Sequence, residues 1–166
     1  MDTLLPKQLV DRARDVIEAN RKAGRRVAVA ESCTGGLVSA ALTELAGSSD
    51  VFEAGYVTYS NAAKLRQLKV SEDVVDTFGA VSVATAWAMA RGALAASDAD
   101  IAVAITGIAG PGGGSPAKPV GTVVFACAER GADPAKIVAD QKLFKDEGRA
   151  SVRLQAALCA LDLLMP

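Results

Sequence analysis

Histidine is absent from this chain of 166 residues, so the side chain that most often acts as a catalytic base or metal ligand near neutral pH is missing. Aromatic residues make up only 4%, which favours tightly packed helices on a sheet over a broad aromatic binding face. The three cysteines, Cys33, Cys127 and Cys159, are odd in number and show no CxxC spacing. We therefore expect neither a disulfide framework nor a zinc site.

Net charge and long apolar runs are also lacking. The formal net charge of −1 provides no bulk field that would attract nucleic acid or an anionic membrane. No apolar run reaches the length of about 18 residues that suggests a membrane span. The opening residues, MDTLLPKQLVDRARDV, lack the layout of a signal peptide. These absences predict a cytoplasmic protein that contacts neither nucleic acid nor a membrane.

The length suits a single domain spanning residues 1–166, and a hydrophobic content of 51% can supply its core. Segments typical of strands and of helices alternate through the first two-thirds of the chain, which predicts an α/β fold. The last two strand segments are close enough to form an antiparallel hairpin. We therefore expect a three-layer α/β/α sandwich around a mixed, mostly parallel sheet of about five strands.

Hydrophobic periodicity and turn residues set the expected boundaries of these segments. Strands are predicted at residues 26–30, 55–60, 101–106, 121–129 and 136–144. Helices are predicted at residues 7–22, 35–45, 61–68, 71–79, 82–96 and 150–164. Ser60 or Asn61 is expected to cap the third helix, and Ser82 the long Ala-rich one.

Three strand ends carry residues capable of chemistry: ESCTGG after the first strand, TYSNAAK after the second and TGIAGPGGGSP after the third. Ligands of open α/β sheets bind beyond the carboxyl ends of the strands, so we expect these segments to meet. Gly-rich backbone at such turns exposes N–H groups that suit a phosphate or an oxyanion. The glycine-rich segment at 107–116 matches neither a P-loop nor a GxGxxG fingerprint, and a flexible loop is an equally good interpretation.

Ser32, Cys33 and Thr34 place three nucleophilic side chains together, although a hydroxyl before a glycine turn more often caps a helix. Without histidine, the proton acceptor must be a carboxylate or a lysine. Lys64 is the best candidate, because it lies in the first turn of a predicted helix, where the helix dipole disfavours its charge. The dipole supplies at most about 1 kcal/mol, whereas lowering a lysine pKa from about 10.4 to near neutrality needs roughly 4 kcal/mol. Burial must provide the difference, and the alternative is an ordinary solvated lysine.

The segments AESCTGG, AGSSDVFEAGYVTYSNAAK and TGIAGPGGGSPAKPVGTV, with EGRASVR downstream, resemble the CinA C-terminal domain family over essentially the whole chain. The resemblance is greatest to stand-alone nicotinamide mononucleotide amidohydrolases, so the amino-terminal molybdopterin-binding-like domain of longer members is expected to be absent. It implies hydrolysis of nicotinamide mononucleotide to nicotinic acid mononucleotide and ammonia through an acyl-enzyme. Ser32 then maps onto the nucleophile and Lys64 onto the base, with Cys33 a bystander.

Further roles are expected on this basis. The candidate donors to an oxyanion or a phosphate are Cys33, Thr34, Gly35, Gly36, Thr106, Gly107, Gly110 and Gly112. Tyr59 or Thr58 could orient Lys64 or the amide, and Tyr56 could stack on the pyridine ring or lie in the strand core. Arg149 could bind the phosphate or simply be exposed.

Several alternatives stay open at this point. The glycine turns could belong to a non-catalytic nucleotide- or pterin-binding module, or to a competence-related interaction domain, and a different amidase or an esterase would use the same groups. No metal and no cofactor are expected. The expected partner is a small-molecule nucleotide substrate. A homodimer or higher homo-oligomer is a further hypothesis, since the Ala-rich helix at 82–96 could pack within or between subunits.

Overall fold

The computed structural model describes residues 3–166 and places a five-stranded sheet between two layers of helices. The strands are β1 Val27–Glu31, β2 Phe52–Val57, β3 Ile101–Gly107, β4 Thr122–Glu129 and β5 Val138–Leu143. The helices are α1 Lys7–Ala23, α2 Leu37–Thr43, α3 Asn61–Leu68, α4 Glu72–Phe78, α5 Val83–Ala95 and α6 Arg149–Leu163. Short 3-10 turns lie at Ser48–Asp50 and Pro134–Lys136.

The strand order is β2-β1-β3-β4-β5. Strand β1 is parallel to both β2 and β3, whereas β4 is antiparallel to β3 and to β5. Only β4 therefore runs against the common direction. This arrangement confirms the expected mixed, mostly parallel sheet and its terminal hairpin.

Alternating residues of the central strands build two separate cores. Val27 and Val29 of β1 pack with α1, α2 and α6, whereas Ala28 and Ala30 pack with α3, α4 and α5 on the opposite face. Successive strand side chains point to opposite faces, so a strand covered on both faces is apolar throughout. The alanines on the α5 face let that helix approach the sheet closely, which completes the three-layer sandwich.

The connections around β1 create the crevice in which the candidate site lies. The chain leaves β1 through α2 on one face of the sheet and returns to β3 through α3, α4 and α5 on the other. The two neighbours of β1 are thus reached by connections on opposite faces, and the loops beyond its carboxyl end separate. Such a switch point is the usual position of a ligand site in an open α/β sheet.

Two boundaries differ from the sequence-based prediction for identifiable reasons. The helix expected from residue 35 begins at Leu37, because Gly35 (φ 58°) and Gly36 (φ 92°) adopt left-handed conformations that cannot continue a helix. The strand expected at 55–60 ends at Val57, because the chain then turns into α3, which Ser60 caps through its hydroxyl. None of the helices within residues 3–166 has both the length and the apolar character needed to cross a membrane.

Candidate active site

A cavity of about 280 Å³ opens beyond the carboxyl ends of β1 and β3. It is lined by the segments that follow β1, β2 and β3 and by the start of α6. The lining includes the predicted site residues Ser32, Cys33, Tyr59, Lys64, Thr106, Gly107, Gly110, Gly112 and Arg149. The fold therefore brings together the three strand ends that the sequence singled out.

Ser32 and Lys64 are in direct contact at the base of this cavity. The Lys64 Nζ lies 3.1 Å from the Ser32 Oγ, 2.8 Å from the carbonyl oxygen of Thr58 and 3.2 Å from that of Tyr59. Ser32 is the first residue after β1, and its N–H donates to the Ile105 carbonyl of β3. Lys64 projects from the first turn of α3, whose start is fixed by the Ser60 cap. Both partners are thus held by regular elements and not by free loops.

The Lys64 amine is almost completely withdrawn from water. The residue is 1% exposed, and burial lowers the pKa of its amine, with a weaker opposing effect from Cys33. Burial disfavours the charged form because an ammonium loses its hydration shell. The oxygens around Nζ are two carbonyls and one hydroxyl, which can accept hydrogen bonds but carry no full charge. Burial therefore shifts the amine toward its neutral form, in contact with a hydroxyl.

Cys33 lines the same cavity, but burial shifts its pKa in the direction opposite to that of Lys64. The residue is 5% exposed, and burial raises the pKa of its thiol to about 11. A thiolate is the nucleophilic form of cysteine, so a thiol with this pKa stays protonated and unreactive near neutral pH. Of the two neighbouring candidates, the Ser32 hydroxyl is within hydrogen-bonding distance of the Lys64 amine, whereas the Cys33 thiol makes no such contact among residues 3–166.

The turn that carries Ser32 is held from both sides by charged groups. The buried carboxylate of Glu31 accepts from the N–H groups of Val38 and Ser39, each at 3.0 Å, and from the Ser39 hydroxyl at 2.7 Å. On the other side, an Nη2 of Arg153 donates to the Thr34 carbonyl at 2.9 Å. These contacts tie the turn to the first turn of α2 and to α6, which limits its movement during any reaction.

Main-chain N–H groups of the same turn are available to a ligand. Those of Cys33 and Thr34 have no acceptor from another residue among residues 3–166, whereas Gly35 donates to the Ser32 carbonyl at 3.0 Å. Thr34, Gly35 and Gly36 lie beside the cavity and do not line it. Of the residues predicted to donate N–H groups at this turn, only Cys33 lines the cavity.

The third segment forms the opposite wall of the cavity. Thr106, the penultimate residue of β3, is 1% exposed and donates from Oγ1 to the Ala80 carbonyl at 2.8 Å. Lys118, at the far end of the glycine-rich loop, donates to the carbonyls of Val81 at 2.6 Å and Phe78 at 3.4 Å. The loop is therefore tied to the α4–α5 turn at both ends, which does not match the interpretation as a freely flexible loop.

Arg149 and Tyr59 meet at the mouth of the cavity. The Arg149 guanidinium donates to the Tyr59 hydroxyl at 2.9 Å and to the Gly110 carbonyl at 2.7 Å. Both side chains are exposed. Arg149 is thus held by two hydrogen bonds and forms no ion pair with a carboxylate of residues 3–166, and it lines the entrance with its positive charge.

Tyr56 and Thr58, two of the predicted substrate contacts, do not line the cavity. The Tyr56 hydroxyl donates to the Ala96 carbonyl at 2.8 Å, and the residue does not line the cavity. The expectation that its ring stacks on a bound pyridine is therefore corrected in favour of the alternative, a position in the strand core, where the ring packs against the cluster on the α5 face and its hydroxyl is anchored at the end of α5. Thr58 is fully buried and its Oγ1 has no partner among residues 3–166, so only its main-chain carbonyl contacts Lys64.

Comparison with known proteins places this architecture in a family. A family model described as the CinA C-terminal domain matches residues 10–166. The chain belongs to the CinA C-terminal domain family. It is 51% identical over 145 residues to a protein of Pseudomonas putida named nicotinamide-nucleotide amidohydrolase PncC, covering 87% of this chain and 88% of the relative. It is 48% identical over 156 residues to a protein of the same name from Enterobacter agglomerans, covering 94% and 93%.

Solved structures agree with this assignment. The crystal structure of the competence/damage inducible protein CihA from Agrobacterium tumefaciens matches with a TM-score of 0.93 at 47% identity, covering 98% of this chain and 97% of that one. The fold of this CinA C-terminal domain is therefore shared over nearly its whole length.

Sequence reasoning missed three residues that shape the site in this CinA domain. Glu31 and Arg153 hold the Ser32 turn, and Lys118 ties down the glycine-rich loop. A charged residue at the end of an apolar strand was the available signal for Glu31. The other two depend on how α6 and the loop pack, which no local pattern reveals.

Larger cavities of about 440 and 530 Å³ lie along α5, and neither contains Ser32 or Lys64. Within residues 3–166, no group of three or more Cys, Asp or Glu side chains is placed to hold a metal ion. The smaller cavity is lined by the Ser32 hydroxyl, the Lys64 amine, the Arg149 guanidinium and main-chain groups, with Cys33, Tyr59 and Thr106 beside them.

Proposed function

We propose that this protein is an amidohydrolase that converts nicotinamide mononucleotide and water to nicotinic acid mononucleotide and ammonia. The substrate is suggested by the printed names of two relatives that are about half identical over most of their length. The observation that carries the chemistry is the contact between the buried Lys64 amine and the Ser32 hydroxyl. A hydroxyl with a neutral base in contact is the requirement for nucleophilic attack on an amide.

The carbonyls of Thr58 and Tyr59 support a defined orientation of the base. A neutral amine has two N–H groups, which these carbonyls can accept at 2.8 and 3.2 Å. Its lone pair then faces the Ser32 Oγ at 3.1 Å. After proton transfer, the ammonium has three N–H groups and the same three oxygens accept them. Both protonation states of the amine are accommodated without rearrangement.

The proposed reaction has two stages. Lys64 takes the Ser32 proton as Oγ bonds to the carboxamide carbon, and the carbonyl oxygen gains negative charge. The free N–H group of Cys33 supports stabilisation of this oxyanion, for which a single donor is typically worth about 3–4 kcal/mol. The C–N bond then breaks as Lys64 returns the proton to nitrogen, which releases ammonia. In the second stage, water gives a proton to Lys64 and bonds to the acyl carbon. The bond between that carbon and Oγ then breaks as Lys64 returns the proton to Oγ, which releases the acid and restores the Ser32 hydroxyl.

Recognition of the phosphate is proposed at the mouth of the cavity. Arg149 presents a cation there, and the glycine-rich loop adds main-chain N–H groups at Gly110 and Gly112, neither of which has an acceptor within residues 3–166. Arginine and free N–H groups are favourable partners for a phosphate dianion. We expect Arg149→Ala to raise the KM for the nucleotide strongly while leaving hydrolysis of the unphosphorylated riboside nearly unchanged.

The direct test is ammonia release from nicotinamide mononucleotide by the purified protein, with nicotinamide and nicotinamide riboside as comparison substrates. Ser32→Ala and Lys64→Ala should each lower kcat at least about 100-fold, the smaller end of the effect of a positioned base. Ser71→Ala and Lys22→Ala remove the same groups at exposed positions and should leave turnover unchanged. Turnover retained in Ser32→Ala would refute the mechanism, and its absence in wild type would favour a nucleotide-binding module.

The acyl-enzyme has a separate test. Hydroxylamine competes with water for an acyl-enzyme, so the wild-type protein should form the hydroxamate of the nucleotide while ammonia release continues at an undiminished rate. The hydroxamate should form at the expense of the acid. If hydroxylamine has no effect on the acid yield, water attacks the amide directly and Ser32 is not acylated.

A further inference from the structure

Arg153 is a partly buried cation that no carboxylate neutralises. It lies on α6, one turn after Arg149, and within residues 3–166 its guanidinium forms no ion pair. Its Nε atom is buried and has no hydrogen-bond partner among the same residues. Residues four apart on a helix are neighbours, so the like charges of Arg149 and Arg153 repel each other. Such an arrangement is unfavourable for folding, which indicates a role other than stability.

The contacts of Arg153 direct its charge to the turn that carries Ser32. Its Nη2 donates to the Thr34 carbonyl at 2.9 Å. A Cβ at Gly35 would lie 3.4 Å from the same nitrogen, so the guanidinium lies directly against the main chain of the turn. Arg153 does not line the cavity, and it therefore acts on a bound substrate only through this turn.

The positive charge of Arg153 reaches Cys33, whose free N–H group is the proposed oxyanion donor. Burial raises the pKa of the Cys33 thiol to about 11, and Arg153 is among the groups that oppose this rise. The charge of Arg153 therefore stabilises a negative charge at Cys33. An oxyanion that accepts from the N–H group of this residue is also negative, so the same field stabilises it. Charges act more strongly at sites from which water is excluded than they do in water.

We propose that Arg153 is a positioning residue for the oxyanion: it holds the Ser32 turn through the Thr34 carbonyl and places an unneutralised positive charge behind the Cys33 N–H group. The oxyanion exists only during the reaction, so this charge favours the transition state over the bound neutral amide. Loss of the charge should therefore lower kcat and kcat/KM to the same extent. The inference rests on the proposed function, in which Ser32 attacks the carboxamide. It gives Arg153 a role different from that of Arg149, whose loss should raise the KM.

The test is steady-state ammonia release from nicotinamide mononucleotide. Removing a direct oxyanion donor lowers kcat by about 100-fold or more, so losing a charge behind the turn should lower it by a smaller factor, at least about tenfold. Arg153→Gln, which keeps an N–H donor, and Arg153→Met, which does not, both remove the charge and should both show this loss. Arg153→Lys keeps the charge and should stay within about fivefold of wild type. Arg14→Gln removes a charge from the exposed face of α1 and should change neither kcat nor KM.

A second measurement separates catalysis from folding and from substrate binding. Ser32→Ala lacks the nucleophile, so titration calorimetry can measure how tightly it binds nicotinamide mononucleotide. Adding Arg153→Gln to Ser32→Ala should leave the dissociation constant within about threefold, because the bound amide is neutral. A distorted cavity would instead weaken binding. Denaturant unfolding establishes that each variant is folded.

Four results would overturn the inference while an active wild type upholds the proposed function. They are wild-type kcat in Arg153→Gln, a lysine variant as slow as the glutamine variant, a dissociation constant that rises as much as kcat falls, and loss of folding in both uncharged variants, which would assign Arg153 a structural role. A wild type that releases no ammonia overturns the proposed function and this inference with it.

Discussion

The Lys64 Nζ and the Ser32 Oγ lie 3.1 Å apart although the two residues are 32 positions apart in sequence. Neither residue is more than 8% exposed, so the surroundings of the amine are provided by the protein and not by water. Among residues 3–166, no carboxylate forms an ion pair with Lys64. An ammonium at this position would therefore lack a counter-ion. The protonation state of Lys64 thus decides whether the buried site holds an unpaired positive charge.

This relationship predicts the pH dependence of activity. Burial lowers the pKa of Lys64 from its ordinary value of 10.5, and the proposed mechanism requires the neutral amine. The value of kcat/KM should therefore rise with pH, by up to tenfold per pH unit, and level off at a pH below 10.5, where an unperturbed lysine would level off. Steady-state ammonia release measured between mildly acidic and alkaline pH gives the profile.

The control for this profile is the residual activity of Lys64→Ala, which should show no rise over the same range. If the variant keeps the wild-type rise, another group titrates and Lys64 is not the base. A wild-type rate that increases up to pH 10.5 and beyond would show that the folded protein does not lower the pKa.

Cys33 provides a second prediction about the same turn. Because burial raises the pKa of its thiol to about 11, the thiol is protonated at pH 8 and contributes no nucleophile. Cys33→Ala should retain activity within about tenfold of wild type, the difference reflecting the lost packing of a small buried side chain. Inactivation by iodoacetamide at pH 8 should likewise be slow.

Cys159 is the internal reference for the labelling experiment, because it is only partly buried. Mass spectrometry after brief alkylation should find Cys159 modified before Cys33. Rapid, selective alkylation of Cys33 together with loss of activity would contradict the assignment of this thiol as a bystander.

Much of the fold follows from local patterns in the sequence. The helix predicted at 61–68 has the boundaries seen in the structure, because Ser60 supplies a cap that acts within a few residues. The strand predicted at 55–60 was less accurate. There, the carbonyls of Thr58 and Tyr59 turn toward Lys64, and this contact depends on α3 folding back on the sheet. Local rules predict helix caps and the alternation of buried and exposed residues in a strand. They do not predict contacts that form when a helix folds back on the sheet.

The candidate site shows the same division. The rule that ligands bind beyond strand ends predicts that Ser32, Lys64 and Thr106 lie near one another, and all three line one cavity. The proposed role of Lys64 depends on its burial, which is produced by segments distant in sequence. From the sequence alone, burial is a condition that the role requires and not a prediction. For Tyr56 the sequence left two interpretations open, because side-chain direction near a strand end depends on the neighbouring helix, whose Ala96 carbonyl accepts a hydrogen bond from its hydroxyl.

The contact between α3 and α5 gives a third prediction. A Cβ at Gly92 would lie 2.1 Å from the Leu68 carbonyl oxygen, so α3 must move to accommodate it. Gly92→Ala should lower the free energy of unfolding by about 2 kcal/mol, even though alanine favours helix by about 1 kcal/mol. Because α3 carries Lys64, kcat/KM should fall as well. Denaturant unfolding and ammonia release measure the two effects.

Gly112→Ala is the matched control for stability, since a Cβ at Gly112 would meet no atom within 4 Å. Its free energy of unfolding should change by less than about 0.5 kcal/mol. Equal stability of Gly92→Ala and wild type would show that the two helices separate without cost and would remove the packing explanation for the position of Lys64.

The buried carboxylate of Glu31 leads to the last prediction. It accepts three hydrogen bonds, from the N–H groups of Val38 and Ser39 and from the Ser39 hydroxyl. In Glu31→Gln, one oxygen is replaced by an NH₂ group that faces these donors, so at least one buried N–H loses its acceptor. The free energy of unfolding should fall by about 2 kcal/mol. Since Ser32 follows Glu31 directly, kcat should fall while the exposed Glu18→Gln variant changes neither quantity. An unfolding curve for Glu31→Gln that matches that of Glu18→Gln would mean that α2 holds the turn without this carboxylate.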